Sequence, residues 1–118
     1  MDITTLSTGP VLLVAGLHFW FMALEMYFWQ RTLGLKTFRM TPEQARATAT
    51  LAGNQGLYNG ILAAGLIFAL LTAHTPMLVF LLLAISIAGL YGGWSVHRKI
   101  FYVQSIPALL ALITLYFA

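Results

Sequence analysis

Gly53-Asn54-Gln55-Gly56-Leu57-Tyr58-Asn59-Gly60 places three carboxamides, a phenol and three glycines in the middle of an otherwise apolar chain. The setting of that stretch decides the fold. Of 118 residues, 60% are hydrophobic and 8% charged, and the mean hydropathy is +0.87. A soluble domain carries roughly a quarter of its residues as charges. This composition belongs in a lipid bilayer, where a spanning helix needs about 20 apolar residues. The apolar segments between charged clusters allow four such spans, so the eight residues lie inside a membrane helix.

Working outward, Thr41-Pro42-Glu43-Gln44 reads as the start of that helix. Thr41 is the N-cap, Pro42 occupies the first turn, Glu43 complements the helix dipole and Gln44 closes a capping box. The helix is expected over 42–72. His74, Thr75 and Pro76 form a short turn, with Thr75 capping and Pro76 opening a third helix over 76–95. His97, Arg98 and Lys99 make another turn, and a fourth helix fills 99–118. Before the quoted stretch, Thr8 or Gly9 caps and Pro10 opens a first helix over 10–30, which ends in the aromatic residues Tyr27, Phe28 and Trp29. This segment contains His18 and Glu25 and lacks a basic leader, so it does not read as a signal peptide. A polar connection from Arg31 to Met40 leads into the second helix. The fold class expected is an all-α membrane protein, one domain over 1–118, with four transmembrane helices in an antiparallel bundle.

Orientation follows from the basic residues. The loop between the first and second helices, with the start of the second, carries Arg31, Lys36, Arg39 and Arg46, the turn between the third and fourth carries Arg98 and Lys99, and these are all six. Membrane proteins keep Lys and Arg on the cytoplasmic side. Both termini are therefore expected on the non-cytoplasmic side, and a cytoplasmic (inner) membrane location follows. No basic stripe suited to nucleic acid exists. Zero cysteines exclude disulfides and thiolate metal sites. His18, His74 and His97 fall at different depths, so no metal site is expected, and the sequence specifies no cofactor.

At about 100° per residue, Asn54, Gln55, Tyr58 and Asn59 occupy an arc about 140° wide. Ala52, Gly53, Gly56 and Gly60 occupy the adjoining arc, leaving Leu57 and Ile61 for lipid. The small arc invites close approach of another helix. Gly89, Gly92 and Gly93 offer a similar surface on the third helix, for packing within the chain or for a homo-oligomer through glycine-rich faces. At a rise of about 1.5 Å per residue, Glu25, Asn54, Gln55, Tyr91 and Gln104 fall in one layer near the cytoplasmic side. His18 lies about 10 Å deeper, level with Asn59. Pro107 frees the carbonyl of Val103 beside Gln104. The expected site is a polar cavity lined by His18, Glu25, Asn54, Gln55, Tyr58, Asn59, Tyr91 and Gln104, with Arg31, Arg98 and Lys99 at its cytoplasmic mouth.

Glu25 is the most informative of these residues. A charge at the bilayer centre costs on the order of 3 kcal/mol even on lenient scales, so the group must be neutral, paired or hydrated. Without a cationic partner it is a candidate proton carrier. With Arg31 or Arg98 it would form half of an ion pair. Cross-linking of helices through Asn and Gln is the structural alternative. His18 reads more readily as a hydrogen-bonding residue than as a relay or ligand.

Leu24-Glu25-Met26 with Trp29, the segment Asn54 to Gly60, Tyr91-Gly92, Arg98-Lys99, and Gln104 with Pro107-Ala108-Leu109-Leu110 together resemble the small bacterial membrane family known as domain of unknown function 1304. The resemblance covers nearly the whole chain and implies a small multi-span membrane protein, without supplying an activity. Three functional classes follow. A protein binding or transporting a small solute or ion, with proton coupling through Glu25, is similar in size and in its first-helix glutamate to the small multidrug resistance transporters, though the one-sided charge points to a single orientation. A membrane enzyme acting on a lipid or thiol substrate resembles the eicosanoid and glutathione metabolism family in span count, but lacks that family's Arg-Ala-His-x-Asn-like pattern. A structural or accessory membrane subunit is the third.

Overall fold

The computed structural model describes residues 2–117. Helices α1 (Thr5–Met26), α2 (Thr32–Phe38), α3 (Pro42–Leu71), α4 (Thr75–Ser95) and α5 (Arg98–Tyr116) follow one another. All but α2 are long and apolar enough to cross a membrane. Among the described residues the protein is accordingly all-helical with four candidate spans.

Helix ends show how local chemistry sets the boundaries. At the start of α3, the Gln44 amide N–H donates to Thr41 Oγ1 at 3.1 Å and the Thr41 amide N–H donates to Gln44 Oε1 at 2.9 Å. The capping box is realised, with Pro42 at the first helical position. Helix α3 stops because Ala73 adopts the left-handed region at φ 52°. The His74 N–H then returns to the Ala69 carbonyl and the Ala73 N–H to that of Leu70, which satisfies two carbonyls that would otherwise be orphaned. That turn leaves His74 at the cap of α4, its Nδ1 accepting from the Met77 N–H at 3.1 Å. The cap expected at Thr75 is thus His74, one residue earlier.

Helix α1 differs more from expectation. It begins at Thr5, where the Thr4 N–H donates to Ser7 Oγ and the Thr4 carbonyl accepts from Ser7 Oγ and Thr8 Oγ1. Pro10 therefore falls in the second turn, where its missing N–H forgoes one bond. The far end is Met26 rather than a residue near 30. Beyond it the N–H groups of Tyr27 and Phe28 share the Ala23 carbonyl. The polar connection from Arg31 to Met40 contains α2, whose end is marked by Arg39 at φ 52° with the Met40 N–H bonded to the Leu35 carbonyl.

Two compact units are distinguished: Gly16–Ala63, and the chain up to Ala15 together with the chain from Ala64 onward. In the latter, Leu66, Leu78, Leu82, Ile85, Ala108, Ala111 and Leu115 form the buried apolar core. Gly89, Gly92 and Gly93 of α4 face α5. A side chain at Gly89 would lie 2.7 Å from the Ser105 backbone nitrogen, and one at Gly92 2.8 Å from Ile100. The close approach lets buried Ser105 donate through Oγ to the Ser86 carbonyl at 2.7 Å. Just before Pro107, residues Phe101–Ser105 form a π-helical turn in which the Ile106 N–H reaches back to the Phe101 carbonyl. The proline interrupts the ladder and the wider turn absorbs the interruption.

Candidate functional site

In the unit Gly16–Ala63, α1 lies against the small-residue face of α3. Ala45, Ala52 and Ala63 are buried along that face, as are Gly56, Asn59 and Gly60. A side chain at Gly56 would lie 2.7 Å from Met26 Cγ, 3.0 Å from Glu25 Cβ and 3.2 Å from the Met22 carbonyl. Only glycine leaves room for this crossing. Gly56 and Gly60 of α3 are thus used against α1, as Gly89, Gly92 and Gly93 of α4 are against α5.

Because the helices approach so closely, a short side chain can bridge them. Asn59 Nδ2 donates to Glu25 Oε1 at 2.5 Å. Asn59 is 3% exposed, while Glu25 is half-buried. Among the described residues, the partner of Glu25 is an amide and not a cation. This donor serves either protonation state, since Oε1 accepts from it whether or not the second carboxyl oxygen carries a proton. Along α3, Asn59 lies about 18 Å from Leu71 at about 1.5 Å per residue, well inside a hydrocarbon layer about 30 Å thick.

This pairing shifts the register expected for the site. Glu25 meets Asn59, one turn beyond the level of Asn54 and Gln55. The reason is local: α1 ends at Met26, leaving Glu25 in its last turn, and Trp29 continues the path beside the start of α3. The Trp29 indole N–H donates to the Ala45 carbonyl and to Thr48 Oγ1, each at 3.1 Å. Its ring stands against Phe38 with centroids 4.8 Å apart. Gly34 sits under the carbonyls of Phe28 and Trp29, where a side chain would come within 2.8 Å of the Trp29 carbonyl carbon. A tryptophan at the end of an apolar run reads as an interfacial anchor, and no sequence signal marks it as a fastener of α1, α2 and α3.

His18 is 1% exposed, two turns before Glu25 on α1, and stands edge-on to Phe21 at 5.2 Å. The remainder of the polar arc of α3 points elsewhere: Asn54, Gln55 and Tyr58 are exposed on the surface of the chain. Of the arc read from the helical wheel, only Asn59, at one edge, enters the α1 contact. Arg31 is exposed in the same unit. Tyr91, Arg98 and Lys99 are exposed, and Gln104 half-buried, in the other unit, where Tyr91 lies beside Trp94. That unit also carries an open groove of about 390 Å³ whose lining includes Val79, Leu83, Leu109, Leu112 and Ile113, an apolar surface with no charged group. Among the described residues, no three of His, Asp, Glu and Cys cluster as metal ligands would.

A family profile described as "Protein of unknown function (DUF1304)" matches residues 12–116, which includes Glu25, Asn59 and the whole α1–α3 crossing. The chain belongs to that family. The DUF1304 chain is also 36% identical over 118 residues to "Uncharacterized protein YpaA" of Lactococcus lactis subsp. lactis (strain IL1403), covering 97% of this chain and 99% of that one. No solved structure matches this DUF1304 protein.

Proposed function

We propose that this chain is a bundle of single orientation in the cytoplasmic membrane, with both termini outside, and that it binds or passes a small solute or ion with Glu25 carrying the coupled proton. The observation that supports this reading is the Glu25–Asn59 pair. Apart from Glu43 in the capped first turn of α3, Glu25 is the one acid in the four long helices. It is half-buried and held by a neutral donor. A carboxyl in such surroundings can exchange a proton without losing its partner, as a carrier must. The basic residues at 31–46 and 98–99 support the orientation.

The same pair also supports a purely structural role, as a bond fastening α1 to α3. Glu25→Gln separates the two. Glutamine keeps an oxygen that can accept from Asn59 but cannot titrate. Proteoliposomes of the variant are expected to lose pH-dependent solute binding or pH-gradient-driven flux while unfolding as the parent does. Wild-type behaviour across pH in the variant would sink proton carriage and leave the structural reading.

A further inference from the structure

The exposed arc of α3 poses a question that α1 does not answer. Asn54 points nearly opposite to the face carrying Ala52, Gly56, Asn59 and Gly60, at about 100° per residue. Tyr58 is 66% exposed and Leu51 72%. Asn54 and Gln55 are exposed as well, and none of Asn54, Gln55 and Tyr58 has a hydrogen-bond partner among the described residues. Counting from Leu71 at about 1.5 Å per residue, Tyr58 lies about 20 Å and Asn54 about 26 Å along a layer about 30 Å thick. Lipid tails offer these amides and this phenol no hydrogen bonds.

From this we infer that a second copy of the chain covers the arc, in a parallel dimer with α3 against α3. Three observations select that occupant. A carboxamide both donates and accepts, so Asn54 and Gln55 can pair with the same residues of a copy, which a face of like charges cannot do. The six basic residues lie in two segments, 31–46 and 98–99; on the single orientation proposed above, on which this inference rests, each residue of a copy then lies at the depth of its counterpart. A two-fold axis along the membrane normal then brings Asn54 to Asn54 and Tyr58 to Tyr58, the self-complementary arrangement of an isologous interface. Finally, Gly56, Gly60, Gly89, Gly92 and Gly93 are filled by contacts within the chain, so the glycine-rich surfaces are not available to a partner. This inference does not depend on proton carriage by Glu25.

The chain has no cysteine, so each introduced thiol is unique. Full-length Leu51→Cys, Asn54→Cys and Tyr58→Cys are oxidised in phosphatidylethanolamine–phosphatidylglycerol liposomes at high lipid dilution, beside Leu13→Cys on an exposed part of α1. Disulfide dimers are expected on the α3 arc at several times the Leu13→Cys background. Single-molecule photobleaching of the labelled wild-type chain is expected to show two-step traces. The triple variant Asn54→Leu, Gln55→Leu, Tyr58→Phe is expected to weaken association about tenfold, as a few interhelical hydrogen bonds would. Equal cross-linking at all four positions, monomeric wild-type chain at dilution, or undiminished dimers of the triple variant would each overturn the inference.

Discussion

Asn59 is the residue on which the α1–α3 crossing turns. It lies one turn along α3 from Asn54 and Gln55 and at a different azimuth, and it is buried and bonded to Glu25 while they are exposed. Asn59→Leu keeps an apolar contact but removes the donor, leaving the carboxyl without its partner. A measured interhelical hydrogen bond in a membrane averages about 0.6 kcal/mol and reaches about 1.7, so a loss of about 1 kcal/mol is expected in a reversible unfolding titration in mixed micelles. Glu25→Gln should lose less, because an acceptor survives. A larger loss for Glu25→Gln than for Asn59→Leu would contradict this account of the pair. That Glu25 and Asn59 were both of interest was legible from composition, since acids and amides are rare within spans. Their pairing was not, because their depths depend on where α1 stops.

At the scale of elements, the glycines divide into those that a neighbour fills and those that open space surrounds. Gly89 meets the Ser105 backbone nitrogen, so Gly89→Ala must push α5 away and is expected to cost about 1–3 kcal/mol. Gly16, by contrast, has nothing within 4 Å, and Gly16→Ala is expected to be neutral or stabilising by up to about 1 kcal/mol through helix propensity. Comparing the two midpoints of thermal unfolding in detergent checks both. If the two alanines behaved alike, the α4–α5 contact would have been misread. A glycine-rich stretch announces close packing in the sequence, but it does not name the partner. Gly56 and Gly60 meet Met22, Glu25 and Met26, while Gly89, Gly92 and Gly93 meet α5, because chain connectivity puts those helices alongside.

For the whole molecule, the one-sided distribution of Arg and Lys predicts topology. Asp2→Cys in intact cells is expected to react with a membrane-impermeant maleimide, and Thr37→Cys on α2 only after permeabilisation. The reverse pattern would invert the orientation. The sequence by itself determined the number of spans, the capping box at Thr41 and Gln44, and the grouping of Asn54, Gln55, Tyr58 and Asn59 on one arc. These depend on hydropathy over about 20 residues, on hydrogen bonds three residues apart and on the fixed pitch of a helix. Only the tertiary structure decided that α3 turns Gly56, Asn59 and Gly60 toward α1, that Trp29 fastens the corner of α1, α2 and α3, and that Asn54 and Tyr58 face outward. A helical wheel fixes angles within one helix, whereas the rotation of that helix against its neighbours is set by which side chains interlock where the helices cross.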